Sequence, residues 1–398
     1  MSFDPVTSES TPLPQSPESP AGTSTNTSES PRVDLLNFTW SELENLLQSW
    51  GQPKYRVKQL FRWIYEELET DFNNMTDLPK ALRQRLNEEA AVGTLEVESV
   101  ADSVDGTKKI LYRLQDGLRI ESVLIPEEKR NTLCVSSQVG CALGCRFCYT
   151  ASLGPGRNLT VGEYMAQYLD TARMLAEDSS ITNVVFMGMG EPLVNFSNLM
   201  QTLELLTDAR GLNLGRRRLT VSTAGLCPQI LQMGEKFPVR LAISLHATTD
   251  EQRDDLMPIN QRYPLETLFD TLQQYRKLTP THRMPITLEF TLIEGVNNSM
   301  ADARRLAKLA HSIQAKVNLI PYNEHPGAPY KRPSQRNIFE FRDELQRKKI
   351  RATCRITRGD DIYAACGQLA IHGPEDAETD SPSPSPERVV PHHRKRRN

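Results

Sequence analysis

Apolar, β-rich runs recur along the middle of the chain: LRIESVLIP (118–126), TLCVSS (132–137), NVVFMG (183–188), RLTVST (218–223), VRLAISLH (239–246), ITLEFTLI (286–293) and KVNLIPY (316–322). Each is strand-length. Stretches with helical periodicity lie between them. TVGEYMAQYLDTARMLAE (160–177) offers Thr160 and Glu163 at capping-box spacing. PLETLFDTLQQYRKLT (264–279) places Pro264 at a first helical position, and SMADARRLAKLAHSI (299–313) has Ser299 as its N-cap. Strand–helix alternation of this kind predicts βαβ units and a mostly parallel sheet. In barrel-like α/β folds the chemistry gathers at the C-terminal ends of the strands.

The pattern upstream is different. Residues 36–92 read as a small α-helical domain. Thr39 and Glu42 form a second capping box, and Val57, Leu60, Phe61 and Ile64 fall on one helical face, with Arg56, Lys58 and Arg62 elsewhere. A third short helix follows in DLPKALRQRLNEEA, with its Pro near the start. Interleaved basic and aromatic residues make this domain a candidate RNA-binding surface. Residues 93–126 read as a connecting β segment, 127–365 as the core domain and 366–372 as a catalytic C-terminal loop. The ends, 1–35 and 373–398, carry little to bury and read as disordered tails.

Composition narrows the class. The chain has 398 residues, 38% of them hydrophobic, enough for one large domain and a small one. No apolar run reaches the roughly 20 residues of a membrane span, and the N-terminus has no secretory pattern, so a cytoplasmic protein is expected. The net charge of −3 does not announce a nucleic-acid binder, but local basic runs exist at 54–63, 215–218, 330–336 and 346–358. Seven cysteines in a chain of this length point to metal or redox chemistry in a reducing compartment.

Cys141, Cys145 and Cys148 form C-x3-C-x2-C in the loop after the TLCVSS strand. Cys134, inside that strand, is a conceivable fourth ligand, which leaves a four-cysteine zinc site open. A four-iron cluster held by three soft thiolates, with one iron left open, fits the spacing better. Other polar groups fall at strand ends and would converge on the same rim: Gly190 and Glu191, Ser222, Ser244 with Leu245 and His246, and Asn323.

CALGCRFC, followed by GMGEP, STAG and SLHA, resembles the radical S-adenosylmethionine enzymes. With TLCVSSQVGCALGCRFC, MGMGEPL, AISLHA and RGDDIYAACGQL, the chain from about 36 to 370 resembles the RlmN branch of the RlmN/Cfr adenosine methylases. The resemblance implies a partial (β/α)6 radical SAM barrel with a [4Fe–4S] cluster on Cys141, Cys145 and Cys148. It implies S-adenosylmethionine bound by Gly190, Glu191, Ser222, Ser244, Leu245, His246 and Asn323. It further implies methylation of adenine C2 in 23S rRNA and in tRNA. Cys366 would carry the methyl group on a mobile loop, Cys134 would resolve the adduct by forming a transient disulfide, and Glu121 would take the C2 proton. Cys227 and Cys354 are assigned to structure. A low-potential flavodoxin- or ferredoxin-type donor, no membrane contact and a monomer are expected. The rivals are a Cfr-type enzyme methylating C8 and a zinc-stapled RNA-binding protein without catalysis.

Overall fold

The computed structural model describes residues 32–369 apart from 177–178, 280–283, 326–328 and 356. Most of both expected tails, and residues 370–372 of the expected C-terminal loop, lie outside the described residues.

The described chain begins with β1 (Val33–Asp34) and a 3-10 turn at Leu35–Asn37. It therefore takes up regular structure ahead of the expected boundary at 35, because Leu35 and Leu36 are fully buried. Helices α1 (Trp40–Ser49), α2 (Tyr55–Tyr65) and α3 (Lys80–Glu89) follow, and β2 (Ala90–Ala91) pairs with β1 in parallel. The Thr39–Glu42 capping box forms, with Thr39 N–H donating to the Glu42 carboxylate at 2.8 Å. Val57, Leu60, Phe61 and Ile64 of α2 are buried as the pattern requires, leaving Lys58 exposed.

One ten-stranded sheet makes up the rest. β3 (Glu96–Asp102), β4 (Lys108–Arg113) and β5 (Arg119–Glu127) are antiparallel and occupy the expected connecting segment. β6 (Arg130–Cys134), β7 (Asn183–Phe186), β8 (Leu219–Thr223), β9 (Arg240–Ser244), β10 (Thr287–Leu292), β11 (Lys316–Pro321) and the short β12 (Ala352–Cys354) run parallel to one another. Spatial order follows chain order from β3 to β12. The intervening helices are α4 (Val161–Arg173), α5 (Phe196–Thr207), α6 (Cys227–Lys236), α7 (Asp250–Leu256), α8 (Leu265–Leu278), α9 (Met300–Ser312) and α10 (Gln335–Arg347). This is a mixed α/β fold, and β6 to β11 with their helices form the expected partial (β/α)6 barrel. The capping boxes at Thr160 and Ser299 are present. Pro264 is the cap residue of α8, one position earlier than expected, since the helix begins at Leu265.

The N-terminal helices share the barrel's hydrophobic core. Gly162 N–H donates to the Asn37 side chain at 2.8 Å, Arg173 donates to the Leu68 carbonyl at 2.8 Å, and the Arg210 guanidinium lies 4.1 Å over the Trp40 ring. Cutting this layer away would take from Gly162, Arg173 and Arg210 their partners Asn37, Leu68 and Trp40, so it is structural for the barrel as well as a candidate RNA surface. Among the described residues no helix is long and apolar enough to cross a membrane.

Candidate active site

Because the parallel strands all end on one side, the loops after them surround a common space. A cavity there encloses about 1200 Å³, its open mouth included. Cys134 at the end of β6 lines it, as do Gly190 and Glu191 after β7, Ser222 at the end of β8, and Ser244 and His246 at the end of β9. Cys141, Cys145 and Cys148 enter from the loop after β6, and Cys366 enters from the C-terminal segment.

The rim is rigid because its polar groups are satisfied. Arg253 on α7, fully buried, donates to the carbonyls of Ala224 (2.6 Å) and Leu245 (3.2 Å) and to the Asn260 side chain (2.9 Å). It thereby ties the loops after β8 and β9 together. Glu191 accepts from Ala224 N–H (2.8 Å) and Leu193 N–H (3.0 Å), one on each oxygen. Burial raises its pKa to about 7. Gly190 has φ +89°, and a Cβ there would lie 2.5 Å from Cβ of Gln138, so only glycine fits. His246 also has a positive φ of 53°. Its Nδ1 accepts from Thr291 N–H at 3.0 Å, which makes Nε2 the protonated nitrogen. Burial, then the Arg253 charge, lowers its pKa to about 3, so the ring is neutral.

The three thiols of the triplet stand in one desolvated environment. Burial pushes Cys141 up to about 12, Cys145 well above the ordinary thiol range, and Cys148 upward. Desolvated thiols give up their protons when a metal takes the proton's place. Among the described residues no three His, Cys, Asp or Glu side chains close to single-ion spacing. The soft donor set opening into a roomy cavity fits a multi-iron cluster.

Cys134 belongs instead with Cys366. Arg355, just past β12, donates from Nη1 to Cys366 Sγ at 2.8 Å, and its charge also acts on Cys134. Burial, then the neighbouring Cys366, pushes Cys134 up to about 12. Across the cavity wall, Glu289 is buried and accepts from Asn318 at 2.7 Å, with Arg355 as the opposing charge. The segment carrying Cys366 is fastened on three sides. Tyr149 N–H donates to the Gly367 carbonyl (2.7 Å) and Thr150 Oγ1 to the Leu369 carbonyl (2.6 Å), both from the cysteine loop. Asn323 Nδ2 donates to the Cys366 carbonyl (3.0 Å), and Ser103 Oγ to Asp361 (2.6 Å).

Three expected residues stand elsewhere than foreseen. Leu245 turns its side chain into the apolar core and offers its carbonyl to Arg253. Asn323 braces the Cys366 segment and does not line the cavity. Glu121 is fully buried on β5, outside the cavity lining, in an ion pair with Lys109 at 3.1 Å. Cys227 is buried at the start of α6 and Cys354 lies in β12. Sequence reasoning missed Arg253, Arg355 and Glu289. Arg355 was hidden in a run of basic residues, and β12, which aims it, is too short to carry a periodic signal.

Comparison with known proteins agrees with this geometry. Residues 33–92 match the ribosomal RNA large subunit methyltransferase N-terminal domain, and residues 135–307 match the radical SAM superfamily. The chain is 47% identical to a dual-specificity RNA methyltransferase RlmN of Geotalea uraniireducens, covering 85% of this chain and 96% of that one. It is 48% identical to the protein of the same name from Syntrophotalea carbinolica, covering 85% and 90%. A crystal structure of a radical SAM methyltransferase from Sphaerobacter thermophilus superposes with a TM-score of 0.81 at 44% identity, over 85% of this chain and 99% of that one.

Proposed function

The chain belongs to the RlmN family of dual-specificity RNA methyltransferases, within the radical SAM superfamily, and on that premise we propose that it methylates C2 of adenine in 23S rRNA and tRNA. The observation that carries this reading is the division of the thiols around one cavity: a desolvated triplet on one loop, and Cys134 beside Cys366 and Arg355. Cys141, Cys145 and Cys148 would hold a [4Fe–4S] cluster, which with S-adenosylmethionine supplies one-electron chemistry when bound.

The protein's own residues account for the rest. Adenine C2 lies between two ring nitrogens and is electron-poor, so it cannot displace a methyl group as a nucleophile. Cys366 does so instead, aided by the Arg355 guanidinium at its sulfur, and carries the carbon to the base. Cys134 then attacks the Cys366 sulfur: the S–S bond forms as the bond from that sulfur to the transferred carbon breaks, and the carbon leaves with the electron pair and takes up a proton, releasing methylated RNA. Glu121 is kept as the acceptor of the C2 proton on the family resemblance alone; to take it, the carboxylate must leave its buried ion pair with Lys109 and reach the cavity. Gly190, Ser222, Ser244 and His246 line the space for S-adenosylmethionine. A low-potential flavodoxin- or ferredoxin-type protein is the assigned electron source.

Nucleoside analysis of RNA treated with the reduced, cluster-loaded protein tests this. The expected product is 2-methyladenosine, and 8-methyladenosine would assign the Cfr-type reaction instead. The Cys134→Ala protein should retain RNA covalently on Cys366, seen as a nuclease-trimmable mass on that peptide. Normal turnover by that variant would remove Cys134 from the mechanism.

A further inference from the structure

The strand starts form a second face of the barrel, opposite the cavity. Arg130 opens β6, Arg217 and Arg218 precede β8, Arg240 opens β9, Lys316 opens β11 and Arg351 precedes β12. The strands are parallel and in register, so these cations share one end of the sheet. Strands stand about 4.8 Å apart, which joins them into one strip. The helices return antiparallel to the strands and bring Lys236, Lys277 and Arg347 to the same end. Those three complement helix dipoles. The strand-start cations have no such explanation.

Counter-charge on the strip is sparse. Arg130 pairs with Glu127 at 2.7 Å, and among the described residues Arg217, Arg218, Arg240, Lys316 and Arg351 have no carboxylate partner. Arg218 donates to the Thr182 carbonyl at 3.2 Å, and like charges crowd the others. Burial and the charges of Arg217 and Arg130 depress Arg240, and burial with Arg351 and Arg240 depresses Lys316. A chain of net charge −3 has carboxylates enough to neutralise this strip and does not place them there. Crowded like charge is disfavoured unless a polyanion uses it.

We propose that this strand-start face is a second RNA-docking surface, gripping phosphates in a stretch of RNA other than the one whose adenine enters the cavity. The proposal rests on the RNA-methylation reading above. Arg240 and Ser244 mark the two ends of β9, about 13 Å apart at 3.3 Å per residue, so a phosphate at the floor cannot belong to the nucleotide in the cavity. The basic runs at 215–218 and 346–351 thereby act together across the sheet. An acidic electron-transfer protein fits this face less well, because it must approach the thiols on the opposite side.

The test combines Arg217→Gln, Arg240→Gln, Lys316→Gln and Arg351→Gln in the full chain, with a thermal melt as the folding control. Binding to 23S rRNA and tRNA transcripts is measured between about 50 and 200 mM salt. Each phosphate contact contributes about 0.7–0.9 to the slope of log K against log salt, so the slope should fall by about 3 and rRNA affinity by at least about tenfold. The kcat on a short hairpin carrying the target adenine should not change. Arginine-to-lysine replacements at 217, 240 and 351 should keep the slope, since phosphate contact needs charge more than fork geometry. An unchanged slope and affinity would overturn the proposal. So would an equal loss on removing Arg304, Lys308 and Arg336 from the outer helices, or normal RNA binding with slowed reduction by a flavodoxin, which would give the face to that protein. Binding is scored without turnover: if wild type methylates nothing while the quadruple variant still loses slope and affinity, the methylation reading fails and this one stands.

Discussion

The rim and the floor of this barrel are made by the two ends of the same strands, yet they use charge in opposite ways. At the rim, Arg253 is fully buried and its guanidinium is spent on the Ala224 and Leu245 carbonyls and the Asn260 side chain. His246 is held neutral, and both Glu191 oxygens are taken by backbone amides. At the floor, Arg217, Arg240 and Arg351 are exposed and face one another. Rim charges therefore act through fixed geometry in a low dielectric and should be nearly indifferent to salt. Floor charges act through a field screened within about 8 Å at physiological ionic strength.

The largest effect should come from Arg253→Met. It leaves the Ala224 and Leu245 carbonyls and Asn260 without their donor in a buried place. Unmet buried groups cost about 1–3 kcal/mol each, so a loss of about 3 kcal/mol or more is expected in urea unfolding. A variant as stable as wild type would mean that the rim is not held by this side chain.

Next is Arg355→Gln. It exchanges a charged donor to Cys366 for a neutral one. Charged hydrogen bonds contribute about 1.5–3 kcal/mol, so methylation of Cys366 should slow by about 10- to 100-fold, read as the mass of its peptide. Iron content and Fe–S absorbance should be unchanged, and Arg355→Lys should recover part of the rate. Equal rates in wild type and Arg355→Gln would exclude the guanidinium from this step.

Glu191 gives a smaller, pH-dependent effect. Its folded pKa of about 7 lies above the ordinary value of 4.5, so between these limits the folded chain binds more protons than the unfolded one. Its contribution to stability is thus full below about 4.5 and is lost as pH rises toward 7. His246, lowered to about 3, has the opposite sign: its contribution is present above about 6.5 and is lost as pH falls. Melting from pH 4.5 to 7.5 should show a downward component that Glu191→Gln removes, worth about 1–3 kcal/mol. The same slope in both proteins would put the titrating group elsewhere.

The smallest effect is expected from Arg217→Gln alone. One phosphate contact removes less than one unit of salt slope, about a threefold change in RNA affinity that vanishes at high salt. A salt-independent loss would move Arg217 from the floor's description to the rim's.

The two regions were also unequally legible in the sequence. Rim chemistry is written locally: three cysteines within eight positions, or a glycine where only positive φ works, stand out in a single window. Apolar strand runs and capping boxes were equally plain, and β5 to β11 lie within a few residues of where the pattern placed them. β12 has three residues and no room for a period. β3 exposes most of its side chains as an edge strand, so its alternation is weak. Arg253 reaches the Ala224 carbonyl and Glu289 reaches Asn318 across 29 positions each, and Arg355 meets Cys366 through an irregular segment that carries no period. The floor is the extreme case. Its cations come from separate strands spread between residues 130 and 351, and only parallel pairing makes them neighbours.

The bonds from Tyr149 to Gly367 and from Thr150 to Leu369 also set an order of events during synthesis. The cysteine loop is translated roughly 220 residues before the segment that closes over it. At about 5–20 residues per second, about 10–45 s pass between synthesis of the three thiols and synthesis of the segment that closes over them. Iron and sulfide delivered in that interval meet an open mouth; delivered later, they must enter past a fastened C-terminal segment. Ribosome pausing between codons 150 and 366 should therefore raise the fraction of chains that leave the ribosome with their metal.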